Sequence, residues 1–257
     1  MTDSHADPTT GAENRLPPLP PRAVLRYDLI RRAVADLRPR TIAEIGCGQG
    51  KVGARLAELA DYVGVEPDES SFSTAVSHVV PRGGSVLHGT HEALPAGSTY
   101  DLVCAFEVLE HIEDDVEALA QWTPSIAAGG HLMLSVPAFQ DRYGPSDRLV
   151  GHYRRYEPEG LADLLRSAGL VDVSVRLYGW PLGYALEAVR NRIDSRKLAE
   201  VREDSPQVLS AASGRTFQPG NAALGAGIAL STAPFRLLQR ARPRAGTGLL
   251  AVARRSG

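Results

Sequence analysis

The sequence predicts an α/β fold in which helices cover both faces of a mostly parallel β-sheet. Short runs of β-branched and apolar residues alternate with segments whose apolar residues recur at helical spacing. The first such run, 41–45, lies between a proline and a glycine turn and has the length of a buried parallel strand. With 257 residues, 43% of them hydrophobic, the chain can bury one sizeable core and carry an accessory element.

The glycine turn that follows this run predicts a ligand site. Gly46, Gly48 and Gly50 allow the backbone to turn tightly and to approach a ligand where a Cβ atom would obstruct it. A helix predicted over 51–60 offers unpaired N–H groups to an anionic group of that ligand. The apolar face of this helix consists of Val52, Leu56 and Leu59.

Glycine turns of this kind serve several nucleotide ligands. A phosphate-binding P-loop requires Ser or Thr after its lysine, whereas Lys51 is followed by Val52, so we exclude that site. The glycine spacing of 48–53, with Glu66 after a second strand, also fits a nicotinamide dinucleotide fold. Glu44, on the strand just before the first glycine, separates these alternatives together with the rest of the chain.

Two motifs carry a family resemblance. The segment Glu44-Ile-Gly-Cys-Gly-Gln-Gly50 resembles the first motif of class I S-adenosylmethionine-dependent methyltransferases, and Val65-Glu-Pro-Asp68 resembles their second. The resemblance implies a Rossmann-like, seven-stranded, mostly parallel sheet whose antiparallel last strand is formed here by 247–253. It also implies S-adenosyl-L-methionine as the cofactor, with its methionine part at the glycine turn and its ribose hydroxyls on Glu66, a charge-assisted bidentate arrangement.

The resemblance assigns cofactor contacts to the loops that follow the first four strands. Many relatives carry an Asp after the glycine of the third loop to bind adenine, whereas this chain has Thr90, so Thr90, His91 or backbone amides take that role. The expected cofactor-binding residues are Glu44, Gly46, Cys47, Gly48, Gly50, Glu66, Pro67, Thr90, His91, Glu92, Phe106 and Glu107.

The segment 100–112 predicts a fourth buried strand that leads into the acceptor site. It resembles the family's strand-four motif, which lies against the methionine end of the cofactor and faces the substrate. His111 is a candidate base for a hydroxyl acceptor because its ordinary pKa is near neutral. Alternatively, Glu110 and His111 fix the loop to the sheet. A helix that reaches about Ile126, capped by the aspartates at 114 and 115, follows.

The segment 138–156 mixes aromatic and cationic side chains after the fifth strand, 131–136, which is a suitable composition for a substrate lid. Its expected substrate-binding residues are Tyr153, Arg154, Arg155 and Tyr156, the arginines for a carboxylate or phosphate and the tyrosines for a ring. The alternative is an internal salt-bridge network between the arginines and Asp147. His152 is the second candidate base.

The domain boundaries follow from composition. Residues 1–20 are predicted to be a disordered tail, and 21–179 with 245–257 to form the cofactor-binding domain. Between them, 180–244 is predicted to be a helical insertion or substrate lid. It contains an amphipathic helix over 180–193, with Leu182, Leu186 and Val189 on its apolar face, and a loosely ordered stretch over 194–220. An apolar helix over 222–238 is expected to cover a hydrophobic substrate pocket, and a dimer face or a position on a membrane surface are the alternatives.

Charge and composition exclude several functions. A net charge of −2 argues against binding nucleic acid, and no stretch has the length of a membrane span. Two cysteines and the absence of a signal sequence predict a cytoplasmic protein, and the preference for arginine over lysine predicts a bacterial one. Methyl transfer requires no metal, and Asp141 and Asp147 form no compelling metal cluster, so we expect none.

The predicted function is methyl transfer to an oxygen or nitrogen of a small organic acceptor, such as a natural-product intermediate. A lipid or isoprenoid acceptor is the alternative within the class, because the insertion is apolar. A nicotinamide-dependent oxidoreductase and a non-catalytic cofactor-binding subunit are the alternatives from other classes. A homodimer is compatible with the sequence, which does not identify the acceptor.

Overall fold

The computed structural model describes residues 16–200 and 222–257, which contain a seven-stranded sheet. The strands are β1 (Thr41–Ile45), β2 (Asp61–Glu66), β3 (Ser85–His88), β4 (Tyr100–Phe106), β5 (Ile126–Pro137), β6 (Leu170–Gly179) and β7 (Gly246–Arg255). Their order in the sheet is β3-β2-β1-β4-β5-β7-β6. The last strand pairs antiparallel with β5 and β6, whereas β1 to β5 pair in parallel. This confirms the predicted sheet.

Helices cover both faces of the sheet, as predicted. One face packs against α1 (Pro21–Leu37), α2 (Gly53–Leu56) and α3 (Glu69–Val79). The other packs against α4 (Asp115–Trp122) and α6 (Pro158–Ser167). The remaining described helices are α5 (Pro145–Val150), α7 (Leu182–Glu200), α8 (Ala222–Ser231) and α9 (Ala233–Ala241).

Several element boundaries differ from those predicted. The helix after the glycine turn spans only Gly53–Leu56, and Leu59 is 54% exposed instead of lying on its apolar face. The helix capped by Asp114 ends at Trp122, where a 3₁₀ turn over Thr123–Ser125 follows. β5 begins at Ile126 because this segment already pairs with Tyr100 of β4.

The predicted tail is partly packed. Leu19 is buried in the core, and Arg55 Nη2 donates a hydrogen bond to the Pro17 carbonyl over 2.8 Å. Residues 1–15 lie outside the described residues. The final part of the predicted tail therefore contributes to the folded unit.

The insertion differs from its predicted form. α7 buries Glu187 and Asp194, whereas Val189, placed on the apolar face by the sequence pattern, is 56% exposed. Buried ion pairs and hydrogen bonds to α5 decide this orientation: Ser146 Oγ donates to Asp194 Oδ2 over 2.6 Å. Residues 194–200 are helical, and the rest of the stretch predicted to be loosely ordered, 201–220, lies outside the described residues.

The apolar helix predicted over 222–238 is two helices, α8 and α9, which meet at Thr232. Gln239 of α9 ties them to the core, because its Nε2 donates to the Leu25 carbonyl and its Oε1 accepts from Gly179 N, each over 3.0 Å. Within the described ranges, every helix is too short or too polar to cross a membrane.

Candidate active site

The site lies at the carboxyl ends of β1 and β4, where the strand order reverses. Open α/β sheets bind their ligands in the crevice at such a switch point. Here the crevice is bounded by the turn 46–50 after β1 and by the loop 107–111 after β4. The two segments touch, since a Cβ atom on Gly46 would lie 2.7 Å from Val108 Cγ2.

The glycine turn has the backbone that the sequence predicts. Gly46, Gly48 and Gly50 have φ angles of 67°, 55° and 68°, in the left-handed region that favours glycine. A Cβ atom on Gly50 would lie 2.9 Å from Ala75 Cα, so this glycine permits close packing on α3. A Cβ atom on Gly48 would have no neighbour within 4 Å, so the turn presents open space at that residue.

Glu66 ends β2 beside this open space. Its Oε2 accepts a hydrogen bond from Gly48 N over 2.8 Å, and its Oε1 accepts one from Asp68 N over 3.0 Å. Burial raises the pKa of Glu66, although these two N–H groups act in the opposite direction. The carboxylate is thus fixed at the rim of the turn with lone pairs left for further donors.

The other predicted cofactor residues lie around the same edge of the sheet. Pro67 is exposed directly after β2, and the Cys47 thiol is buried. Thr90 and Glu92 are exposed and His91 is half-buried, in a turn that follows β3. Phe106 is buried at the end of β4. Their contacts with a cofactor stay a prediction.

Glu44 is buried beneath the turn. The residue is 2% exposed, and its Oε2 accepts a hydrogen bond from Tyr62 Oη over 2.6 Å. Burial raises the pKa of Glu44 to about 7, even though the hydrogen bond from Tyr62 lowers it.

This shift makes stability depend on pH. The folded-state pKa of Glu44 lies above its ordinary value of 4.5. Between these two values the folded protein holds a proton that the unfolded chain has released, so stability falls as pH rises through this window. We expect Glu44→Gln, which keeps an acceptor for Tyr62, to remove about 3 kcal/mol of this dependence. Urea unfolding of both proteins without cofactor at pH 4.5 and pH 8 measures it, and parallel pH profiles would contradict it.

Glu107 follows β4 in a strained backbone conformation, with φ 59°. Its N–H donates to the Ser135 carbonyl over 2.8 Å. Its carboxylate lies 3.2 Å from Arg26 Nη1 and 3.6 Å from Arg22 Nη2. Burial alone would raise the pKa of Glu107, but Arg26 and Arg22 outweigh it and lower that pKa to about 2. Glu107 is therefore an ionised carboxylate at neutral pH.

Four residues around Glu107 were not predicted. The hydroxyls of Ser135 and Tyr178 each donate to Glu107 Oε1 over 3.1 Å, and Arg22 and Arg26 lie on the face of α1 that points to it. The i, i+4 spacing of the two arginines places them on the same face of a helix, and this is the sequence pattern from which they could have been predicted. Tyr27, also on α1, packs under the Arg55 guanidinium, whose Cζ lies 5.5 Å from the centroid of the tyrosine ring.

Glu110, His111 and His152 come together although 40 residues separate the last two in the chain. The two imidazole rings meet edge to face with their centroids 4.6 Å apart. Glu110 is fully buried, and Tyr153 N donates to its carbonyl over 2.8 Å. Burial and the neighbouring Glu107 raise the pKa of Glu110 well above its ordinary value. Burial and the neighbouring His152 lower the pKa of His111 to about 4.

The predicted lid contains an internal ion-pair network. Asp147 accepts hydrogen bonds from Arg155 Nε over 2.9 Å and from Arg155 Nη2 over 2.7 Å, and Arg155 Nη1 pairs with Glu187. His152 Nδ1 lies 2.9 Å from Asp147 Oδ1. For Arg155 this geometry favours the internal network over a substrate contact.

The neighbouring lid residues divide between buried and exposed positions. Tyr156 Oη donates to Asp115 Oδ2 over 2.8 Å, and Arg154 Nη1 lies 2.8 Å from the same oxygen. Tyr153 is 53% exposed and leaves its ring available. A substrate contact by Arg154 or Tyr156 would require these bonds to be exchanged, and the four substrate roles stay a prediction.

Comparison with known proteins identifies the family. A family model described as a methyltransferase domain matches residues 21–175. The chain is 32% identical over 139 residues to trans-aconitate 2-methyltransferase of Streptomyces avermitilis, covering 50% of each protein. It is 40% identical over 87 residues to a ubiquinone biosynthesis O-methyltransferase of Azorhizobium caulinodans, covering 32% of this chain and 34% of that protein. The matched lengths are thus half of these relatives or less.

Solved structures share the fold. The YcgJ protein of Bacillus superposes with a TM-score of 0.57 at 14% identity, covering 90% of this chain and 99% of that one. A SAM-dependent methyltransferase of Archaeoglobus fulgidus gives a TM-score of 0.54 at 15% identity, covering 88% and 91%. Together with the sheet order and the glycine turn, these findings show that the chain belongs to the methyltransferase-domain family and is a class I S-adenosylmethionine-dependent methyltransferase by fold.

Proposed function

We propose that this protein transfers the methyl group of S-adenosylmethionine to an oxygen atom of a small organic acceptor. The observation that carries the proposal is the contact between two parts of the crevice. The glycine turn, open at Gly48 and flanked by Glu66, touches the loop that carries His111. The glycine turn suits the cofactor, and the loop with His111 suits an acceptor group that loses a proton.

The cofactor's position follows from the chemistry of each loop. Glu66 accepts the ribose hydroxyls as a bidentate carboxylate, and the open space at Gly48 receives the methionine part. The turn with Thr90, His91 and Glu92 borders the adenine. Phe106 and Glu107, at the end of β4, then lie towards the sulfonium group and the acceptor.

The reaction is a displacement at carbon. A lone pair of the acceptor oxygen forms a bond to the methyl carbon while the carbon–sulfur bond breaks, and its electrons neutralise the sulfonium to give S-adenosylhomocysteine. The hydroxyl proton must leave, and His111 and His152 are the candidate bases. The pKa of His111, lowered to about 4, makes it a weak base at neutral pH, so we assign the proton to His152, whose Nδ1 is held by Asp147. Alignment of the two reactants in the crevice supplies much of the remaining barrier reduction.

Two observations favour oxygen over nitrogen. An amine acceptor needs only to arrive uncharged, whereas a hydroxyl acceptor needs help in losing its proton, and the histidine pair offers it. Two relatives are also named as O-methyltransferase and trans-aconitate methyltransferase. For a nicotinamide oxidoreductase neither the antiparallel β7 nor the family match would be expected.

A lipid or isoprenoid acceptor is the second candidate, because α8 and α9 expose apolar side chains beside α1. The exposed leucines are Leu224, Leu230, Leu237 and Leu238. Such a surface suits the apolar chain of an acceptor that is held in a bilayer.

The test is methyl transfer from cofactor that carries an isotope-labelled methyl group. The purified protein is given phenols, hydroxy acids, carboxylic acids, amines and an isoprenoid phenol in detergent, and labelled products are identified by mass spectrometry. We expect label on oxygen in at least one acceptor and none with Glu66→Ala. Label on nitrogen alone would contradict the oxygen assignment. Cofactor binding without transfer to any acceptor would favour a non-catalytic cofactor-binding subunit.

A further inference from the structure

Glu110 is a buried carboxylate without a hydrogen-bond partner. Its side chain is 0% exposed, and neither oxygen has a partner within the described part of the chain. His152 Nε2 lies 3.9 Å from Oε1, which is too far for a hydrogen bond. A buried polar group left in this way costs about 1–3 kcal/mol, and more when it is charged. Such a group calls for a partner from outside the described residues, such as a water molecule or an ion.

The two histidines present free nitrogen atoms to this carboxylate. His111 Nδ1 is buried and has no hydrogen-bond partner within the described part of the chain. His152 Nδ1 is taken by Asp147 Oδ1, which leaves its Nε2 directed at Glu110. One ligand atom from each of Glu110, His111 and His152 lies within 4.8 Å of the others.

From this arrangement we infer that Glu110, His111 and His152 bind a divalent cation of the first transition row. The supporting contacts are those that such a site requires. Metal-binding histidines donate their second ring N–H to a carboxylate or a backbone carbonyl, which orients the ring. Asp147 Oδ1 is such a partner for His152 Nδ1, and two hydrogen bonds from Arg155 hold Asp147 in place.

The donor set selects the kind of cation. Two imidazoles and one carboxylate suit Zn²⁺ and similar borderline ions, whereas Ca²⁺ and Mg²⁺ prefer oxygen donors. Bond lengths of about 2.0–2.1 Å place such donors roughly 3–3.5 Å apart, so small side-chain rotations close the present spacing. Three protein ligands leave a fourth position for a water molecule or a substrate oxygen.

The inferred site departs from the expectation of no metal. That expectation was based on Asp141 and Asp147. In the structure Asp147 is the hydrogen-bond partner of His152, which is one of the three proposed metal ligands. Glu110 and His152 lie 42 residues apart, so no local ligand spacing in the sequence marks the set.

The site also adds a role for the cation to the proposed function, and this role rests on that function. A cation beside the glycine turn would bind the acceptor oxygen and lower the pKa of its hydroxyl. The proton then leaves to solvent before the carbon–oxygen bond forms. The histidines would orient the cation, and neither would need to act as a free base.

Cobalt titration tests the site without cofactor or acceptor. The full-length protein, freed of metal with a chelator, is titrated with Co²⁺, followed by its visible absorption, and Zn²⁺ is then added as competitor. We expect one Co²⁺ per chain, displaced by Zn²⁺, and at least a 100-fold weaker affinity in Glu110→Gln and in His152→Asn. Glu113→Gln and His131→Asn are matched controls outside the set, and both should bind as the wild type does.

Three results would overturn the inference: no Co²⁺ absorption band, unchanged affinity in both ligand variants, or equal loss in the controls. Circular dichroism and thermal unfolding show whether each variant is folded, and Glu110→Gln should fold because it removes a buried carboxylate. Titration of the same samples with S-adenosylhomocysteine separates the two proposals. Cofactor binding without Co²⁺ binding overturns the metal site alone, and Co²⁺ binding without cofactor binding overturns the proposed function alone.

Discussion

We expect Glu66→Ala to reduce the affinity for S-adenosylhomocysteine at least about 100-fold, because two hydrogen bonds to a charged group are lost at about 1.5–3 kcal/mol each. Glu66 is held by Gly48 N and Asp68 N at the rim of the glycine turn, where two ribose hydroxyls can donate to it. The measurement is the rise in Tm that the ligand causes, since a ligand stabilises the folded state by RT ln(1 + [L]/Kd), where [L] is its free concentration.

The matched control for this prediction is Glu69→Ala. Glu69 lies three residues further along, in the first turn of α3, and its side chain is 73% exposed. We expect the control to keep the full ligand-induced rise in Tm and Glu66→Ala to lose it. An equal rise in both variants would mean that the ribose does not bind at the end of β2.

The second large effect concerns the lid. We expect Arg155→Ala to lower the free energy of unfolding by about 3 kcal/mol, because removal of one partner leaves two buried carboxylates less well compensated. The Arg155 side chain is 2% exposed, and its loss leaves Asp147 with His152 and Glu187 with Arg142 as their remaining ionic partners. Urea unfolding measures the change.

Arg166→Ala is the control for the lid, since Arg166 forms an exposed pair with Asp163 on α6. Such pairs contribute little, so we expect a change within about 0.5 kcal/mol. If Arg155 instead binds the substrate, Arg155→Ala would raise the acceptor KM and leave stability and cofactor affinity as they are. That result would contradict the network assignment.

The sheet and the cofactor turn could be predicted because local sequence determines them. A buried strand, left-handed glycines and an acid after the next strand are all encoded within 41–66. The antiparallel β7 required the family resemblance, because an apolar run alone does not specify the direction of a strand.

The acceptor side of the site could not be predicted in the same way. Its key groups come from α1, β4, the lid and α7, and only the fold brings them together. The orientation of α7 shows the reason. Its sequence pattern offers an apolar face with Val189, but the buried partners of Glu187 and Asp194 decide which face packs inward. The periodicity of apolar residues along a helix contains no information about such polar contacts.

Calorimetric titration of the wild-type protein with S-adenosylhomocysteine tests the central claim most directly. The account predicts one site per chain with a dissociation constant in the micromolar range or below, and mass spectrometry of the purified protein would show any cofactor or acceptor retained in the crevice. Absence of binding, together with saturable binding of a nicotinamide dinucleotide in the same crevice, would contradict it.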